Sequence, residues 1–318
     1  MTAPDPQAPS AFHAGEQAVQ ERVGVREKVA PFGANIRPYM PDEHRAFFES
    51  LTYLIAGSVD EEGLVWASML TGPAGFAASP DATRLSIGAV PGPNDPGRGG
   101  FRLGAAIGLL GIELHTRRRN RANGRVCDLR PGQGFDLEVL QSFGNCPQYI
   151  NARAAAAAPI AERAPQAEVV VSEELDRASM SVLASADTFF VATTSGSHGD
   201  GAQRGADVSH RGGWPGFVKI IDSKTLIWPD YRGNFFFNTL GNLHLDPRCG
   251  LLVIDFAGGD LLHLTGSAGV LWDWDRDDPA FVGAQRVIRF DLKRAVRTAG
   301  ASPFAWTFLG PARQFAAP

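Results

Sequence analysis

Long apolar runs are missing from this 318-residue chain; none approaches the roughly 18 to 20 residues that a membrane helix needs. The opening MTAPDPQAPS lacks the basic and apolar regions of a secretory signal. Cysteine is scarce. Cys127, Cys146 and Cys249 are odd in number and far apart, which argues against a disulfide framework and against a Cys-x-x-Cys metal site. Such usage suits a reducing, cytoplasmic setting. The formal net charge is only −4, so bulk electrostatics favours neither nucleic acid nor an anionic membrane. The scattered histidines never fall in His-x-x-x-His or His-Glu-x-x-His spacing, which leaves a metal site with little support. Gly-x-Ser-x-Gly and a Walker-type glycine loop are also absent.

What is present is mainly strand signal. YLIAGSV, FFVATT, GLLVIDF, DLLHLTG and RVIRFDL are short, rich in Val, Ile, Leu and Phe, and bounded by Gly, Asp or Pro. Helical segments are few and short, such as 14–28, 42–52 and 172–185, and residues 1–12, rich in Pro and Ala, read as disordered. The chain also repeats itself. Residues 47–87 can be laid on 181–230, 107–126 on 249–268, and 135–149 on 290–304, with an Ala/Pro-rich connector between the halves. This order predicts an N-terminal extension with a short helix (1–40), a first barrel (41–151), a linker (152–171) and a second barrel (172–318). Short strands with hairpin-like turns predict a mainly β fold, two tandem antiparallel barrels with few helices, and not a Rossmann sheet.

Polar groups and glycines concentrate in RGADVSHRGGWPGFVKI (204–220) and PDYRGNFFFNTLGN (229–242). Aligning the halves sets Leu70 against Arg211, Met69 against His210 and Trp66 against Asp207, while Ser68 and Ser209 coincide, as do Gly72 and Gly213. The fold therefore does not require polar side chains there. A lone Arg211 would read as a solvated charge; a polar set confined to one copy and flanked by glycines reads as an anion site. Ser209 and His210 are strand neighbours on opposite faces, so they do not form a nucleophile–base pair. Gly233, Asn234, Asn238 and Thr239 follow a strand and open a helix, which makes either a phosphate seat or an ordinary capped terminus.

HTRRRNRANG (115–124) is the densest charge run, with Arg117, Arg119 and Arg121 on one face of a strand. It reads either as a solvated edge or as a positive face turned toward the second barrel. PGPNDPGRGG (91–100) reads as a flexible loop, and the thiol of FGNCPQY (143–149) as an inert cysteine.

At these motifs the chain resembles the pyridoxamine 5′-phosphate oxidase-like family of flavin-binding split β-barrels, especially its long, tandem-barrel members. The residues that carry the resemblance are DVSHRGGWPGFV, PDYRGNFFFNTLGN, DPRCGLLVIDF and LHLTGSA, with RRRNRANG and FGNCPQY in the first half. It covers nearly all of the chain after about residue 40. The resemblance implies FMN bound at a seam between two barrels, usually of a dimer. Asp207, Val208, Ser209, His210 and Arg211 would then run along the flavin, with Arg211 near the phosphate. Pro229, Asp230 and Tyr231 would follow on the adjacent strand. Asn234, Asn238 and Thr239 would hold the phosphate, and Leu264 and Thr265 lie on the strand that often contributes next. Arg117, Arg119 or Arg121 would reach across the seam.

The vitamin-forming oxidases carry a basic strand ending in Lys, a Ser/Arg-Lys phosphate pair and an arginine–histidine pair near the C-terminus. Here the strand ends Ser-His-Arg, the loop reads Arg-Gly-Asn, and GPARQFAAP has no histidine. The resemblance thus implies an FMN-dependent oxidoreductase rather than a pyridoxamine phosphate oxidase. It would be a homodimer that passes hydride between flavin and a small substrate or NAD(P)H, with no nucleic-acid or membrane partner. The rival expectations are a non-catalytic flavin- or haem-binding protein and a deazaflavin-dependent reductase.

Overall fold

The computed structural model of the chain describes residues 10–157, 167–196, 198, 203–276, 278 and 281–315. An N-terminal pair of helices, α1 (Ala14–Arg22) and α2 (Arg26–Val29), replaces the single helix expected over 14–28, broken at Gly24 where φ is 70°. Helix α3 (Asp42–Ser50) then leads into a seven-stranded sheet. Its strands are β1 (Tyr53–Val59), β2 (Val65–Thr71), β3 (Ala77–Asp81), β4 (Arg84–Ile87), β5 (Ala106–Glu113), β6 (Arg118–Arg130) and β7 (Gly134–Gly144). They lie in the order β2-β1-β5-β6-β7-β4-β3.

After β8 (Ala152–Ala157), β9 (Val169–Ser172) and α4 (Arg177–Ser185) the pattern recurs with β10 (Thr188–Thr194), β11 (Ala206–Gly212), β12 (Lys219–Ile220) and β13 (Thr225–Asp230). Helix α5 (Asn238–Leu245) precedes β14 (Arg248–Ile254), β15 (Leu261–Leu271) and β16 (Arg286–Thr298). The order β11-β10-β14-β15-β16-β13-β12 repeats that of the first sheet strand for strand. All of these pairings are antiparallel. The fold is mainly β, with barrel-like curling: Phe189 on β10 stacks on Phe217 and meets Trp228 of β13 edge-on, although β13 lies near the far end of the sheet.

Register makes the internal repeat exact enough to compare residues. Tyr53 pairs with Thr71 as Thr188 pairs with Gly212, so Leu70 and Arg211 hold the same place. Leu109 pairs with Ala122 as Leu251 pairs with Leu264, so Arg121 corresponds to His263 and Arg119 to Leu261.

The two barrels pack side by side, and strand periodicity divides their cores. Leu54 and Ala56 of β1 fill the first barrel while Ile55 between them faces the seam; Phe189 and Val191 of β10 fill the second while Phe190 and Ala192 face the seam. Ile55, Val65, Leu110, Phe190, Val208 and Leu252 form that shared layer. Strands apolar on both faces explain why YLIAGSV and FFVATT read as unbroken hydrophobic runs.

The seam also needs glycine at two matched positions. A Cβ on Gly108 would lie 2.6 Å from the Ala206 carbonyl oxygen, and one on Gly250 would lie 2.4 Å from that of Val65. Residues 152–171, expected to be a linker, supply strands at both described ends. β8 pairs with the C-terminal β17 (Phe304–Gly310), and β9 pairs with β16. Of the expected disordered segment, residues 1–9 lie outside the described residues, whereas Phe12 is buried.

Candidate functional site

At one end of the seam lies a cavity of about 110 Å³. The first barrel contributes Arg119 and Arg121 from β6 and the turn after β7, with Asn145, Cys146, Gln148 and Tyr149. The second contributes Ser209 to Gly212 of β11, Pro229 to Tyr231, Gly233 to Phe235, Phe237 to Leu240, and Arg286. Alternation along β11 sends Asp207, Ser209 and Arg211 to one face and Val208 and His210 to the other.

Arg121 crosses the seam within one chain. Its Nε lies 2.8 Å from Asp207 Oδ1 and donates to the Val208 carbonyl at 3.2 Å, Nη1 donates to Asn145 Oδ1 at 2.8 Å, and Nη2 donates to the Ser209 hydroxyl. Arg286 Nε donates to Asp230 Oδ2 at 2.8 Å. These two guanidinium groups are neutralised; the other two are not. Arg119 donates to the carbonyl oxygens of Cys146 at 2.8 Å and Gln148 at 3.5 Å. Arg211 comes no nearer than 3.8 Å to Asp230, and its buried Nε has no partner. Burial, reinforced by Arg121 and Arg211, pulls the pKa of Arg119 down to about 9. That of Arg211 is lowered too, first by burial, with Asp230 opposing. Both stay cationic at neutral pH, and an anion between them would relieve the repulsion.

His210 is buried edge-on to Phe190, and neither of its ring nitrogens has a partner. Burial, with Arg119, Arg211 and Arg153 nearby, holds it well below the usual histidine range, so the imidazole is neutral.

The approach to α5 is held in an unusual backbone shape. Phe235 and Phe237 have φ of 62° and 63°, a left-handed conformation that costs roughly 1–3 kcal/mol per residue. Phe237 is the N-cap and makes no side-chain capping bond. Asn238 and Thr239 therefore do not cap the helix. Asn238 Nδ2 donates to Glu16 Oε1 at 2.6 Å, and the Thr239 hydroxyl donates to that of Ser209 at 2.9 Å. Asn234 is exposed and accepts from the Phe236 N–H at 3.1 Å.

Some expected positions fall elsewhere. Arg117 precedes β6, sits in the hairpin turn with φ 61°, and donates to the carbonyls of Ile150 and Pro311, so it ties down the C-terminal tail and lies off the cavity. β6 is no solvated edge, being paired on both sides with β5 and β7. β13 is not adjacent to β11 in the sheet, although Arg211 lies 3.8 Å from Asp230. Val208 belongs to the seam core. Leu264 and Thr265 are buried and do not line the cavity.

The sequence reading missed Arg286 and Tyr149 in the cavity lining, and Glu16 and His13 behind α5. Glu16, in the extension, is buried behind Asn238, and burial pushes its carboxyl up to about 8. His13 caps α1, bonds Asn242 at 3.0 Å, and is lowered by burial to about 4. Tyr149, at φ 63°, stacks on Tyr231 at 5.0 Å and 16°. Its carbonyl would lie 2.0 Å from a Cβ on Gly212, so that glycine is needed for the approach.

The matching end of the seam is filled. Ser68, equivalent to Ser209, donates to Asp95 Oδ1 at 2.7 Å, and His263 Nε2 lies 3.3 Å from Asp95 Oδ2. The 3₁₀ turn Pro96–Gly100 stands in the connection where the second barrel has α5. A Cβ on Gly97 would come within 2.4 Å of the Ser68 hydroxyl. Asp95 and Gly97 thus plug this end, while Gly92, Pro93, Asn94, Arg98 and Gly99 of the expected loop stay exposed.

Among the described residues no group of three or more His, Cys, Asp or Glu could hold a metal ion, and no helix is long and apolar enough to cross a membrane. No family model and no curated protein matches the chain. Solved structures do match, two of them named for the pyridoxamine or pyridoxine phosphate oxidase group. A candidate pyridoxamine 5′-phosphate oxidase from Lactobacillus delbrueckii is 14% identical over 39% of this chain and 94% of its own, with a TM-score of 0.31. A Clostridium acetobutylicum protein of the pyridoxinephosphate oxidase family, related to general stress protein 26, is 11% identical over 42% and 92%, with a TM-score of 0.29. The Bacillus subtilis inhibitor of motility MotI/DgrA is 10% identical over 76% and 87%, with a TM-score of 0.22.

Proposed function

We propose that the seam cavity binds FMN and that the protein is an oxidoreductase passing hydride between the flavin and a small substrate or NAD(P)H. The observation that carries this reading is the pair of under-neutralised guanidinium groups, Arg119 and Arg211, in one cavity with the uncapped first turn of α5. Fork donors beside a helix N-terminus suit a phosphate monoester. Asn234, Asn238 and Thr239 border that end. Tyr149, Pro229, Tyr231, Phe235 and Phe237 offer an apolar wall to a planar ring, and neutral His210 can present one donor and one acceptor. The donor set suits the phosphate end of FMN and the wall a planar ring, and the cavity of about 110 Å³ must open to take the whole molecule, which would supply the hydride chemistry when bound.

The chain's own part is positioning and electrostatics. Arg119, held by two carbonyls rather than a carboxylate, keeps its positive charge available to the cavity. Arg121 fixes the two barrels in register across the ligand. The stacked rings of Tyr149 and Tyr231 form part of the apolar wall. Ligand released by heating the purified protein should fluoresce and have the mass of FMN. Bound flavin reduced by NAD(P)H and reoxidised in air would separate an enzyme from a non-catalytic binder. A colourless protein that cannot be loaded with FMN overturns the reading.

A further inference from the structure

We infer that a second hollow, beyond the Tyr149–Tyr231 stack, binds an uncharged planar aromatic compound. Its role as the substrate of the flavin rests on the function proposed above; its ligand class does not. The hollow is about 520 Å³, room for a fused-ring molecule. Tyr149 and Tyr231 line both spaces and so form their common wall. Phe315 lies 5.7 Å from Tyr149, 5.8 Å from Tyr231 and 6.3 Å from Trp214, so four rings make a cup. Among the described residues its lining contains no carboxylate, amine or guanidinium; Gln314 and the tyrosines are its polar groups. The guanidinium-rich cavity next door would draw a charged ligand, whereas this cup favours a neutral ring that stacks.

The repeat supplies an independent argument. The turn after β11, Gly213 to Phe217, matches Gly72 to Phe76 after β2. Gly216 has φ 88° and Gly75 has φ 90°, and both turns need their first glycine, since a Cβ there would strike Phe217 or Phe76. The turn is the same, yet Trp214 stands where the first barrel has Pro73. Folding of the turn does not require the tryptophan, which is left 54% exposed. A large aromatic ring offered to solvent only in the copy that bears the cavity is what a ligand-stacking residue looks like.

Calorimetric titration of the full chain, with and without FMN, should use 2-naphthol and its charged counterpart naphthalene-2-sulfonate. The expected result is binding of 2-naphthol alongside FMN, with the sulfonate at least about tenfold weaker. Trp214→Ala and Phe315→Ala should each weaken 2-naphthol roughly tenfold and leave FMN affinity within about twofold. Absence of 2-naphthol binding, equal binding of the sulfonate, or indifference to both substitutions would overturn the inference. Mutual exclusion of FMN and 2-naphthol would also overturn it, by making the hollow the seat of the flavin ring. If 2-naphthol binds with the expected variant dependence but FMN does not bind at all, the flavin reading fails while the assignment of the hollow stands.

Discussion

Arg211 and Leu70 occupy the same place in two barrels, so Arg211→Leu gives the second barrel a side chain that the first already tolerates. The variant should fold normally and bind FMN ten- to a hundredfold more weakly, about 1.5–3 kcal/mol for a charged contact. Fluorescence titration checks this; unfolding or unchanged affinity would make Arg211 structural or merely exposed. The β6 arginines should separate by role. Arg121→Gln leaves Asp207 buried without its ion-pair partner and should cost about 3–5 kcal/mol in chemical denaturation. Arg119→Gln breaks no carboxylate pair and should lower flavin affinity while stability holds. Glu16 predicts a pH dependence. Folded, it keeps its proton to about pH 8, but unfolded it ionises near its ordinary 4.5, so stability falls as pH rises between the two and is level above. His13 works the other way, losing stability as pH falls from 6.5 toward 4. Between pH 6.5 and 8 only Glu16 of this pair acts, so the wild-type melting temperature should drop there relative to Glu16→Gln. Parallel profiles would contradict the burial argument. Arg211 was legible because its sister position is apolar. Glu16 was not, since nothing in HAGE tells that a helix of the extension packs on α5.

Strands were the most legible elements, because apolar side chains on both faces leave short hydrophobic runs between turn residues. The fate of β6 was not legible. Alternating arginines suit an exposed edge, but β6 pairs on both sides and spends Arg121 on the neighbouring barrel. Which faces meet depends on packing between repeats, and sequence spacing does not encode that. The packed part of the loop 91–100 was not legible for a similar reason. Its Pro and Gly content marks a turn, but burial comes from Asp95 engaging Ser68 and facing His263. The glycines of the seam offer a direct test. Gly108→Ala places a Cβ against the Ala206 carbonyl and should cost about 1–3 kcal/mol, whereas Gly269→Ala, with no atom within 4 Å, should change stability by less than about 0.5 kcal/mol. Equal melting temperatures for the two variants would show that the barrels do not meet this closely.

The whole molecule is a pair of like barrels joined by a seam that one chain completes by itself. Both barrels of the one chain line the cavity at that seam. Approximate two-fold symmetry builds two ends to the seam, yet one is lined by Arg119, Arg121 and Arg211 and the other is closed by Asp95 and the turn after it. That asymmetry arises from single-copy substitutions on a repeated backbone, which is why aligning the halves singled out Arg211, a residue that lines the cavity. Titration of the purified chain with FMN, followed by flavin fluorescence at known protein concentration, tests the central claim most directly. The predicted result is saturation at one FMN per chain for wild type, with the same stoichiometry but ten- to a hundredfold weaker binding for Arg211→Leu. No saturable binding, or two equivalent sites per chain, would contradict it.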